Sequence, residues 1–150
     1  QFLGDVLWGD LDVLLMDLPP GTGDTQISLI QNASVAGAIV VSTPQDIAFL
    51  DAKKAIGMFN TVKVPILGII ENMTSFICPK CGEETQIFGH GGVKAAAKRM
   101  NLPFLGEVPI DLAIREGGDN GRPLVEAYPD SPQTKVFMDM AAALRKTLEL

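Results

Sequence analysis

Basic residues are in short supply. The 150 residues carry 12 Lys and Arg against 18 Asp and Glu, a formal net charge of −6 at pH 7, and the cations form no run. Sequence-independent nucleic-acid binding needs clustered cations against phosphates, so that role is excluded, although a local site for a single nucleotide is not. Long apolar runs are also missing. The longest, such as residues 36–41 and 65–70, are far too short to span a bilayer, and no signal peptide is visible. There is one His, one Trp and one Tyr, and only two Cys, which is too few for a disulfide framework in a domain of this size. The chain opens on Gln1 in what reads as mid-protein sequence, so it is expected to be part of a longer protein. Against these absences stands a hydrophobic content of 47%, enough for one packed core.

Strand-like and helix-like segments alternate. Residues 12–17 (D-V-L-L-M-D), 36–43 (A-G-A-I-V-V-S-T), 65–71 (P-I-L-G-I-I-E) and 104–108 (F-L-G-E-V) read as buried strands. Residues 25–32, 46–62, 92–101, 111–116 and 131–148 read as helices, with Asp24 a fair cap for the first and Pro132 in the first turn of the last. Residues 74–88 read as a polar loop or small hairpin. No repeat or linker divides the chain, so residues 1–150 are expected to form one unit with an insertion at about 74–88. This order predicts an α/β fold, a mostly parallel sheet covered by helices on both faces. Ligands of such sheets sit beyond the C-terminal strand ends, here Asp17, Thr43, Asn72 and Pro109.

Residues 17–24 (D-L-P-P-G-T-G-D) carry the sharpest signal. An Asp at the tip of a buried strand is costly unless paired, and Mg²⁺ approached through water is one such partner. Pro19 and Pro20 stiffen the loop, whereas Gly21 and Gly23 let backbone amides approach a ligand. The order apolar strand, Asp, P-P-G-T-G-D, helix fits a loop that reads a terminal phosphate and its metal. An ordinary strand-to-helix turn is the alternative.

Cys78 and Cys81, in C-P-K-C, present two thiols from one tight turn, half a site for a thiophilic metal. Four ligands are usual, and the single His90 cannot complete Cys₂His₂ in one chain. The arithmetic therefore points to two chains giving Cys78 and Cys81 each. A bridging Zn²⁺ or an iron–sulfur cluster satisfies it equally. A redox dithiol is the other reading. His90 reads as a loop or helix-start residue, Trp8 as a packing residue and the six Met as core filling.

Taken in order, D-L-P-P-G-T-G-D, S-T-P-Q-D at residues 42–46, E-N-M at 71–73, C-P-K-C, F-G at 88–89 and G-E-V-P at 106–109 resemble the Mrp (ApbC-like) family of iron–sulfur carrier ATPases. These are relatives of MinD and ParA within the deviant P-loop ATPases. The resemblance covers nearly all of the chain. It implies a P-loop NTPase-like three-layer sandwich whose phosphate cradle, K-G-G-x-G-K-[ST], lies upstream. No such segment occurs here, so the chain is expected to lack the P-loop strand and helix, to bind ATP poorly alone and to expose an unpaired sheet edge.

The same resemblance implies a catalytic Asp17 near Mg²⁺ and the attacking water. It places Gly21 and Thr22 near the γ-phosphate, Asn72 on the adenine and Pro109 beside the base. It also implies that Cys78 and Cys81 hold a labile 4Fe–4S cluster across a homodimer. The implied function is an ATP-dependent, cytoplasmic cluster carrier that serves apo-proteins and scaffold proteins, with no nucleic-acid or membrane partner. A MinD/ParA-like positioning ATPase and a zinc-bridged non-catalytic module are the alternatives. For the first, the Phe137, Met140, Leu144 and Leu148 face of the last helix reads either as a membrane face or as a docked core helix.

Overall fold

The computed structural model describes residues 2–18 and 23–150. Its centre is β2 (Ile66–Ile77), which carries the Ile-rich run that follows Pro65. β1 (Ala38–Ser42) pairs with it in parallel on one side and β4 (Phe104–Ile110) in parallel on the other. The two-residue β3 (Glu84–Thr85) pairs antiparallel with Phe76 and Ile77, beyond the reach of β1. β2 therefore runs past the expected end at residue 71 and becomes one leg of the hairpin that carries the cysteines. A polar segment continues as strand there because β3 and Ile110 of β4 supply its pairing.

Helices cover both faces. On one face α3 (Asp46–Thr61) and α4 (Gly92–Arg99) pack Phe49, Ala52, Ile56, Val93, Ala96 and Ala97 onto Val40 and Ile69. Ile69 and Val93 are fully buried, and each contributes roughly 1.5–3 kcal/mol of transfer free energy. α2 (Asp24–Asn32) adds Ile30 to a second cluster with Ala38, Phe59 and Val64. On the opposite face α7 (Pro132–Leu148) docks Met140 over Gly106. Gly68 is needed on that side, because a Cβ there would overlap the Leu105 side chain. Ser131 caps α7 by accepting from the Thr134 N–H at 3.1 Å, and Pro132 sits in its first turn as expected. Along the Phe137, Met140, Leu144 and Leu148 face of α7, Met140 is buried and the other three are partly covered. Short helices α1 (Phe2–Asp5), α5 (Leu112–Asp119) and α6 (Leu124–Ala127) complete the described chain.

One expected strand fails. Residues 12–17 take no strand conformation, and Val13, Leu14, Leu15 and Met16 are exposed, Leu15 to 81%. Apolar sequence marks a segment fit for burial, but a strand also needs a hydrogen-bonded neighbour. Among the described residues β1 pairs only with β2, and nothing pairs with residues 12–17.

Candidate nucleotide and metal site

The strand registers build one edge of the site. Ser42 lies opposite Glu71, Glu71 opposite Glu107 and Asn72 opposite Val108. Thr43, Asn72 and Pro109 therefore lie at one level, just beyond the C-terminal end of β1 and near that of β4, while Asn72 sits inside β2, which continues to Ile77 instead of ending there as expected. At Asn72 the pairing with β4 is interrupted and resumes at Phe76. Met73 takes a left-handed φ of 58°, and its N–H donates to Asn72 Oδ1 at 2.9 Å. That bond fixes the Asn72 amide at the bulge and leaves Nδ2 as a donor. Thr74 and Ser75 are buried in the bulge, and the Thr74 hydroxyl donates to the Val108 carbonyl at 3.4 Å.

Asp17 is exposed and outside the sheet, so the structure does not bring it into this set. Gly21 and Thr22, the other candidates of the 17–24 loop, lie outside the described residues.

Six residues beyond Asn72 the strand delivers Cys78. The Cys78 N–H donates to the Glu83 carbonyl at 2.9 Å and the Gly82 N–H to the Cys78 carbonyl at 2.8 Å, closing a tight turn. Gly82 supplies the positive φ of 74° that the turn requires. Both cysteines are free thiols, Cys81 exposed and Cys78 partly so. The Cys78 thiol is held below its ordinary pKa, chiefly by the Cys81 backbone amide, then by the Lys80 amide and the Cys81 thiol, with burial opposing. Such a turn stabilises a thiolate, the form that binds metal. Alkylation of Cys78 followed against pH is therefore expected to show a midpoint below that of an unperturbed cysteine thiol in a short peptide measured alongside it, and an unlowered midpoint contradicts this geometry. Among the described residues no group of three or more His, Cys, Asp or Glu converges, so none of them brings a third such side chain to the two thiols. His90 instead faces Glu107, with Nε2 3.9 Å from its carboxylate.

Pro79 of the cysteine turn, Phe76, Pro109 and Asp111 line one cleft of about 100 Å³. A larger shallow cavity, of about 640 Å³, runs along α4 beside Leu102 and Phe104 and contains none of the candidate residues.

The residue that sequence reasoning missed is Glu71. It is fully buried, and its carboxylate accepts from the N–H groups of Gly91 at 2.8 Å, Val93 at 2.8 Å and Lys94 at 3.3 Å. Gly91, the N-cap of α4 with φ 75°, has no side chain to cap the helix, and Glu71 does so from the neighbouring strand. An acid closing an apolar strand was the available signal, since a buried carboxylate must be paired.

The chain resembles known proteins over almost its whole length. Residues 1–145 match the ParA family model described as a NUBPL iron-transfer P-loop NTPase. The iron–sulfur cluster transfer protein NUBPL of Dictyostelium discoideum is 51% identical over 143 residues, covering 95% of this chain and 44% of its own length. The iron–sulfur cluster carrier protein of Aquifex aeolicus is 49% identical over 149 residues, covering 99% of this chain and 41% of its own. This chain thus spans less than half the length of either relative. A solved nucleotide-binding protein from Archaeoglobus fulgidus, described in complex with ADP and with Co, superimposes with a TM-score of 0.74 at 46% identity. That match covers 88% of this chain and 53% of the other.

Proposed function

Because the chain belongs to the ParA family of NUBPL-type iron-transfer P-loop NTPases, we propose that it is part of an ATP-dependent iron–sulfur cluster carrier. ATP is the substrate and the cluster the cargo. The observation that carries the reading is an unbridged, thiolate-favouring C-P-K-C turn that directly follows β2, the strand holding Asn72, and whose Pro79 lines one small cleft with Pro109 of β4.

In this reading Asn72 Nδ2 donates to a ring nitrogen of the adenine, and Pro109 borders the base. Asp17, Gly21 and Thr22 attend the γ-phosphate. Mg²⁺ supplies charge neutralisation when bound, and the Asp17 carboxylate is the oxygen donor suited to it. Cys78 and Cys81 of two copies give the four thiolates of a bridging 4Fe–4S cluster, which is passed to apo-proteins. Exposure suits this role, because a cargo site must be open to the recipient, and Cys81 lies at the surface. Among the described residues no helix is long and apolar enough to cross a membrane.

Anaerobic treatment of the full-length protein with iron and sulfide tests the reading. Broad visible absorbance that bleaches in air, together with delivery of iron and sulfide to an apo-protein, is the expected result. Uptake of Zn²⁺ alone would favour a zinc-bridged module and overturn it.

A further inference from the structure

The cysteine-bearing excursion leaves the sheet along β2 and returns through residues 86–91 into α4. Its outgoing leg is tied by strand pairing and its return leg by Glu71. The buried carboxylate receives the Gly91 N–H on one oxygen and the Val93 and Lys94 N–H groups on the other. Glu71 immediately precedes Asn72, at the point where the ladder with β4 bulges. At the start of α4, Gly92 leaves little room beside the segment after β1: a Cβ there would lie 3.1 Å from the Pro44 carbonyl oxygen. Glu107, opposite Glu71 on β4, pairs with Lys94 Nζ at 3.2 Å. One carboxylate thus joins the excursion's return leg to β2 beside Asn72.

We propose that Glu71 is a positioning residue, the joint through which nucleotide at the Asn72 end of the sheet alters the hold of Cys78 and Cys81 on their cargo. This rests on the carrier reading above and deepens it. A carboxylate only accepts, and its three partners here are all donors. In Glu71→Gln the volume is kept but an NH₂ group meets backbone N–H groups, so one side of the clasp must open. The second variant, Gly91→Ala, strains the same junction from the other side, because its φ of 75° disfavours a Cβ.

The test uses the full-length protein loaded anaerobically with iron and sulfide. Iron release to a ferrous chelator is timed with and without Mg-ATP. Wild type is expected to change its release rate on adding Mg-ATP. In Glu71→Gln that change is expected to shrink by about tenfold, while cluster loading and ATP affinity stay within about twofold. Gly91→Ala should do the same, and it decides the matter if Glu71→Gln does not fold. An undiminished Mg-ATP effect in a folded variant overturns the proposal. So does joint loss of loading and ATP binding in both variants, which would mark a purely structural role. A wild type that loads a cluster and hydrolyses ATP but shows no Mg-ATP effect overturns the joint and leaves the carrier standing. Failure of wild type to load a cluster overturns the carrier itself.

Discussion

Full-length protein carrying Cys81→Ser is expected to retain less than about a tenth of the iron and sulfide of wild type after anaerobic loading. The reason is ligand number. Each copy offers two free thiols from one turn, and the described residues bring no third metal-ligating group to them. Two copies make four thiolates, and the substitution removes two of the four. A Ser hydroxyl is a poor ligand for this soft cargo. Stability should hardly move, because Cys81 is exposed and surface changes away from special features usually stay within about 0.5 kcal/mol. Iron and sulfide assays beside a thermal melt check both parts. Full loading of a folded Cys81→Ser protein would remove the thiols from the site.

The second large effect is expected at Asp17. In the full-length protein Asp17→Asn should lower the maximal ATP turnover by about a hundredfold or more and leave ATP affinity nearly intact. Asn keeps the size of the side chain but removes the charge that suits Mg²⁺ and the attacking water. Single-turnover hydrolysis measured beside equilibrium ATP binding separates the two quantities. A variant with unchanged turnover would remove Asp17 from the proposed nucleotide site.

Much of this architecture was legible in the sequence because it rests on local signals. The Ile-rich run after Pro65, residues 46–62 and Pro132 at the start of α7 each point to one element, and each element forms, the first of them longer than expected. That Thr43, Asn72 and Pro109 lie at one level followed from the alternation of those elements, since the strands run parallel, although β2 does not end at Asn72. What stayed hidden depends on distant partners. Residues 12–17 have a strand's composition, yet composition cannot supply the neighbouring strand, and Leu15 lies exposed. β2 continues to Ile77 through polar residues because β3 and Ile110 pair with it across the chain. Glu71 read as part of a motif, while its work as a remote cap for α4 appears only once Gly91 and Val93 are brought against it. That Pro79 and Pro109 line one cleft is likewise a product of the fold, which no spacing rule contains.

The proposed function stands on two copies sharing one cargo through Cys78 and Cys81. Native mass spectrometry of the full-length protein, loaded anaerobically with iron and sulfide, tests that claim most directly. The expected species is a dimer carrying a single 4Fe–4S cluster, which falls apart to cluster-free chains in the Cys81→Ser variant. A monomer that holds a complete cluster, or a dimer that holds only zinc, would contradict it.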